Sequence, residues 1–304
     1  AGIFSGGRGQ RVPRVEDSSA YHAAAASLRA PWPLSAAPAA ERRCALVLYG
    51  LPKHFRSQVW PRMRAMLVDR IPFPCDVFVH TYDVRETSNP RNGEVACTID
   101  PSEVAVCSPL RWAMEDQEAV DYALRWHFNE LRRYGDAWFN HFVSLRNALR
   151  QYNSIAKAYA LMEQEQAARG FQYALVCCSR MDVLYLDPLP DYVISSVAGP
   201  CPGQLFVPNF HEWELRSDNL IYPTGGMNDR FAIGCRHAMR VYADRLAGAV
   251  AFCRNGRRMF HTETFLKYHL LRAGVLVHRV PRFRFQRLRA NGAVQDTDLE
   301  LEKD

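Results

Sequence analysis

From Cys44 onward, short apolar runs alternate with longer stretches of mixed polarity. "CALVLYG" (44–50) and "CDVFVHTYD" (75–83) are nearly continuous apolar runs, the pattern of strands covered on both faces. Between them "RSQVWPRMRAMLVDR" is amphipathic and predicts a helix broken once at Pro61. Strand, helix, strand at this spacing predicts a βαβ unit with parallel pairing and a right-handed crossover. A short strand is expected at "EVAVC" (103–107), then helices over 111–134 and about 137–169, the second closed by Gly170. A third apolar run, "YALVCC" from Tyr173, ends on Arg180 and Asp182 and passes into a proline-rich turn in which Asp187 is expected to cap.

The second half is less regular. "GQLFVPN", "NLIYPT" and "RFAIGC" predict short strands separated by Pro and Gly turns. Helices are expected from about His237 to Phe252 and Thr262 to Ala273, then a last strand, "GVLVH". The pattern predicts an α/β chain of two continuous halves, a nucleotide-binding half at 41–190 and an acceptor half at 191–304 with a basic C-terminal segment. Residues 1–40, rich in Gly, Ala, Pro and Ser, predict a flexible or stem-like lead-in. The chain opens on Ala1, which suggests a trimmed terminus. With an anchor before it the tract would resemble a Golgi stem; the alternative is a disordered extension of a cytoplasmic protein.

Composition narrows the chemistry. Against 32 acids stand 38 Lys and Arg, a formal charge of +6, which suits an anionic small ligand without demanding nucleic acid. No apolar run approaches the roughly 18 to 20 residues that span a bilayer. The nine cysteines form no C-x-x-C pair, so zinc-ribbon and thioredoxin-type readings fail on spacing. Neither a P-loop nor a G-x-G-x-x-G sequence is present, which argues against a P-loop triphosphatase or a Rossmann dehydrogenase.

Ligands of open α/β sheets bind at the carboxyl ends of the strands. "GLPKHFR" brings Gly50, Lys53 and Arg56 to that edge after the first strand, and "HTYD" brings Thr81, Tyr82 and Asp83 after the second. Cations there can meet a diphosphate, and acids can accept from ribose hydroxyls. Arg180 and Asp182 end the third strand, where a basic and an acidic group can hold a phosphate and a metal ion. "PTGGMNDRFAIG" (223–234) joins a double glycine, which allows close backbone approach, to Asn228 and Asp229 and an anchoring strand. It can hold a carboxylate rigidly beside a substrate, or be a hairpin turn with Asn and Asp as turn formers.

Taken in order, "CALVLYGLPKHFR", "CDVFVHTYD", "QYNSIAKAYALM", "YALVCCSRMDVLYLDPL", "NDRFAIG" and "HTETFLKYHLLRAGV" resemble the small glycosyltransferases of GT-A type found in polysaccharide and lipopolysaccharide gene clusters, algae and large algal viruses. The resemblance covers about residues 44–280. It implies a GT-A-like mixed, mostly parallel central sheet flanked by helices. It also implies a nucleotide-sugar donor, a divalent cation such as Mn2+ or Mg2+, and transfer to a hydroxyl of a glycan or glycoconjugate. Arg180 and Asp182 stand where such enzymes carry Asp-x-Asp, so Asp182 is the expected metal ligand. There is a departure: relatives tend to read Arg-x-Arg-x-Asp, whereas Cys178 replaces the first Arg and Val183 and Leu184 follow Asp182. On an inverting route a carboxylate takes the proton of the attacking hydroxyl, for which the resemblance favours Asp229, with Glu263 second.

Two other classes remain open. A catalytically silent sugar-binding or scaffold module fits the missing second acid. "HRVPRFRFQRLR" (278–289), where Arg alternates with Phe, fits either a single-stranded nucleic-acid path or an edge strand with a solvated basic face; the edge strand is the favoured reading.

Overall fold

The computed structural model describes residues 42–90, 93–197 and 203–295. The expected lead-in, 1–40, lies outside them. Among the described residues thirteen strands are formed: β1 Cys44–Tyr49, β2 Cys75–Tyr82, β3 Glu86–Asn89, β4 Glu94–Thr98, β5 Arg111–Glu115, β6 Leu175–Arg180, β7 Val183–Tyr185, β8 Gln204–Pro208, β9 Glu214–Leu215, β10 Ile221–Tyr222, β11 Phe231–Gly234, β12 Leu276–Val280 and β13 Phe285–Arg287. Seven of them make the central sheet, in the order β12-β8-β11-β6-β1-β2-β5. All its pairings are parallel except those of β11, which runs against both β6 and β8. This is the mixed, mostly parallel sheet flanked by helices that the resemblance implies.

Period-two alternation along β1 sorts its side chains to two cores. Cys44, Leu46 and Leu48 enter one apolar cluster with Phe55, Met63, Phe231 and Phe285. Ala45, Val47 and Tyr49 enter another, covered by helices. The helices are α1 Trp60–Met66, α2 Gln117–Ala123, α3 Arg125–Arg132, α4 Val143–Arg169, α5 Asp191–Val197, α6 Arg236–Ala243, α7 Leu246–Gly256 and α8 Thr262–Arg272. From α4, Ile155, Ala158 and Met162 pack on the second face, joined by Met239 of α6 and Leu266 of α8.

Several expected elements differ. Pro61 does not break its helix: it sits in the first turn of α1, where no intrahelical N–H is needed, after a π-turn at Phe55–Val59. "EVAVC" lies in a 3-10 helix, Pro101–Cys107, because the Asp100 side chain accepts from the Ser102 N–H and Pro101 fixes the first turn. The expected helix over 111–134 starts as strand β5, whose register with β2 pairs Val79 with Trp112, and only then turns helical behind the Asp116 cap. α4 begins at Val143, not near 137, since Asp136 takes the N–H groups of Trp138, Asn140 and Phe142 and holds 136–142 as a turn. The helix expected over 237–252 is split at Asp244 and Arg245 into α6 and α7.

The reversal of β11 matters for function. The six parallel strands deliver their C-terminal ends to one edge, and β11, running backwards, starts at that edge. Arg230 accepts there, through its backbone carbonyl, from the Arg180 N–H at 3.1 Å. Segments after β1, β2 and β6 and the segment before β11 therefore converge.

Candidate active site

A cavity of about 850 Å3 opens at that edge. Gly50 and Lys53 line it from the loop after β1, Tyr82 from the end of β2, Arg180 and Asp182 from the end of β6, and Asp229 and Arg230 from the approach to β11. Glu263 joins them from the first turn of α8, and Arg287 and Arg289 from the C-terminal segment.

On one side is a cationic cluster around two carboxylates. Arg180 donates from Nε and Nη2 to the two oxygens of Asp182, at 2.8 and 2.6 Å. Burial alone would raise the Asp182 carboxyl; the Arg180 fork, aided by Lys53 and Arg289, instead holds it far below its ordinary 3.8. Lys53 pairs with Glu94 at 2.7 Å, and Glu94, only 1% exposed, also accepts from the Ala290 N–H. Cys178, where the resemblance expects an arginine, is fully buried inside β6.

The other side is built on Asp229. Gln151 of α4 links the two sides: its Oε1 accepts from Arg180 at 3.2 Å and its Nε2 donates to Asp229 Oδ2 at 3.2 Å. The Asp229 backbone carbonyl accepts from the hydroxyls of Tyr49 and Tyr242, at 3.2 and 3.0 Å. Tyr242 is in turn covered by Arg245, whose buried guanidinium lies 4.3 Å from its ring centre. Arg230 bridges the two acids, 3.6 Å from both Asp229 and Glu263. Burial would raise the Glu263 carboxyl, but His261, His211 and Arg230 outweigh it and keep it well below the ordinary 4.5. His211 is itself pushed below its ordinary 6.5, first by burial and then by Arg230.

The double glycine supplies the close approach that this loop needs. A Cβ on Gly226 would lie 1.9 Å from the Trp213 carbonyl oxygen and 3.1 Å from the Glu263 Cβ. Because the first obstacle is backbone, no rotamer relieves it. Gly226→Ala is expected to destabilise the fold by about 3 kcal/mol, read as a lowered midpoint in urea unfolding; an unchanged midpoint would mean that the 213 and 226 segments separate freely.

Not every expected residue reaches the cavity. Arg56 sits exposed on the π-turn, where its backbone N–H donates to Glu103. Thr81 is fully buried and does not line the cavity, because alternation along β2 turns it away from the face that Tyr82 shares with the cavity. Asp83 is exposed and meets Arg85 at 3.2 Å. Asn228 is buried under the loop: it donates to the Phe210 carbonyl and accepts from the Arg230 N–H, so it shapes the turn beneath Asp229. Asp187 does not cap its turn but forks onto Arg284 and its backbone N–H, fastening the C-terminal segment to β7.

That segment is a sheet-edge strand only at its start, where β12 ends the central sheet with Arg279 exposed, and it leaves that edge beyond Val280. β12 pairs with β8, while β13 pairs antiparallel with β7, and the Leu288 N–H donates to the Asp182 carbonyl at 2.8 Å. Gln151, His211, Arg230, His261, Glu94, Arg287 and Arg289 are site residues that sequence reasoning passed over. "HTE" and "NDR" gave signals for His261 and Arg230, which adjoin residues already singled out.

A divalent cation fits this donor set poorly. Both Asp182 oxygens face one guanidinium, and Lys53 and Arg289 add further positive charge. Among the described residues, no group of three or more His, Cys, Asp or Glu side chains is placed to hold a metal ion. The metal role expected of Asp182 is therefore not supported by the chemistry around it. None of the described helices is long and apolar enough to cross a membrane.

No protein-family model and no curated protein sequence matches the chain. Among solved structures, the chain is similar to mouse xyloside xylosyltransferase 1 in its apo form, with 11% identity, a TM-score of 0.40, and coverage of 79% of this chain and 85% of that one. A likeness so distant carries nothing about activity.

Proposed function

We propose that the cavity transfers a sugar from a nucleotide-sugar donor to a hydroxyl of a glycan or glycoconjugate, with inversion at the anomeric carbon. The observation that carries this reading is the pairing, in one cavity, of a cationic cluster with a buried and rigidly held carboxylate across the Gln151 bridge. Sugar transfer needs both: negative charge builds on the departing diphosphate while the attacking hydroxyl loses its proton. Arg180 and Lys53 lie on the diphosphate side. Asp229 accepts the hydroxyl proton, its carboxylate aimed by Gln151 and its backbone fixed by Tyr49 and Tyr242. Glu263, committed to His211, His261 and Arg230, is a weaker base than its position in the sequence suggests; it serves to align Arg230 behind Asp229. The division into a nucleotide half before about residue 190 and an acceptor half after it remains part of this proposal.

A thermal-shift screen of nucleotide sugars tests the reading. One combination of base and sugar is expected to stabilise the protein by about 2.7 kcal/mol at a hundred times its dissociation constant. A flat response across all common donors would contradict it.

A further inference from the structure

We infer that the site holds the donor diphosphate on four side-chain cations, Lys53, Arg180, Arg287 and Arg289, in place of a divalent metal ion; this rests on the nucleotide-sugar reading above. The geometry comes from how the C-terminal segment is laid down. β13 is registered on β7 with Arg287 opposite Val183, and the next residue, Leu288, donates its N–H to the Asp182 carbonyl. From there Leu288 enters the core, and Arg287 and Arg289 on either side of it line the cavity. Arg289 is only 6% exposed and is oriented by Gln295, at 2.8 and 3.2 Å.

Glu94 staples the arrangement. It takes Lys53 and the Ala290 N–H on the same oxygen, so the loop after β1, the β3-β4 hairpin and the C-terminal segment meet at one buried carboxylate. Lys53, Arg180, Arg287 and Arg289 give the cavity wall four cations, and a nucleotide-sugar diphosphate brings the opposite charge. Planar guanidinium groups can take phosphate oxygens two at a time, which supplies direction as well as charge. A metal ion at Asp182 would have to displace the Arg180 fork and sit within the field of Lys53 and Arg289. Within this arrangement Asp182 orients Arg180.

The test measures binding of nucleoside diphosphates to the full chain by thermal shift and calorimetry, in EDTA and in manganese chloride. The expected result is that the diphosphate that binds does so in EDTA within about threefold of its affinity in manganese, and that Arg287→Gln and Arg289→Gln each weaken it at least about tenfold in both buffers. Each variant's own melting curve without ligand establishes that it is folded. Binding more than tenfold tighter with manganese would overturn the inference and leave the donor reading intact. Folded variants that bind in EDTA as the wild type does would also overturn it. If no nucleoside diphosphate or nucleotide sugar binds in either buffer, the donor reading fails and the inference with it.

Discussion

Asp229→Asn is expected to lower the rate of sugar transfer by about 10^2 to 10^4 while donor affinity stays within about threefold of the wild type. The substitution keeps the shape of the side chain and the oxygen that Gln151 meets, but removes the group that takes the proton. The backbone at 229 is fixed independently, through its carbonyl, by Tyr49 and Tyr242, so the loop has no reason to move. Loss of rate without loss of donor binding marks an interaction made in the transition state. Unchanged transfer would remove Asp229 as the base, and a product that retains the donor's anomeric configuration would remove the need for one.

Arg180→Met is expected to cost about 3–5 kcal/mol of stability at pH 7, because it strands the buried Asp182 carboxylate without its bidentate partner. The Arg180 side chain is 22% exposed and that of Asp182 7%, so solvent screens the pair only weakly. The pH dependence follows from the depressed Asp182 carboxyl. Its stabilisation is fully present above the unfolded value near 3.8 and is lost as pH falls through the lower folded value. In the variant, burial acts unopposed by the fork and pushes the carboxyl upward. The gap between wild type and variant should thus be widest near pH 7 and narrow as the solution is acidified towards pH 3. Urea titrations at both pH values measure it; a gap that does not change with pH would mean that the ion pair contributes little.

The parts of the site that were legible in the sequence are those that depend on one strand and its end. The runs at Cys44, Cys75 and Tyr173 and the "RFAIG" run are sheet strands; Gly50, Lys53, Tyr82, Arg180 and Asp182 follow from where the first three stop, and Asp229 from where the last one starts. Alternation misled where it had two explanations. In "RFRFQRLR" the alternation changes phase between Phe285 and Leu288, both in the core, so Arg282 and Arg284 belong to one phase and Arg287 and Arg289 to the other, and these last two face a cavity and not the protein surface. A polar period cannot tell bulk water from a wet cavity. Thr81 shows the converse, a strand-end residue on the wrong face. Glu94 and Gln151 were invisible for a different reason: each acts through partners 41 or more and 29 or more positions away, and nothing local marks such a pairing.

The most direct measurement is mass spectrometry of a glycan or glycoside acceptor incubated with the nucleotide sugar that stabilises the protein best, with NMR of the new linkage. The account predicts an acceptor heavier by one sugar residue, joined with inverted anomeric configuration, and one nucleoside diphosphate released per sugar added. A donor that binds in the cavity yet transfers its sugar to no hydroxyl, under conditions where the protein is folded, would contradict it.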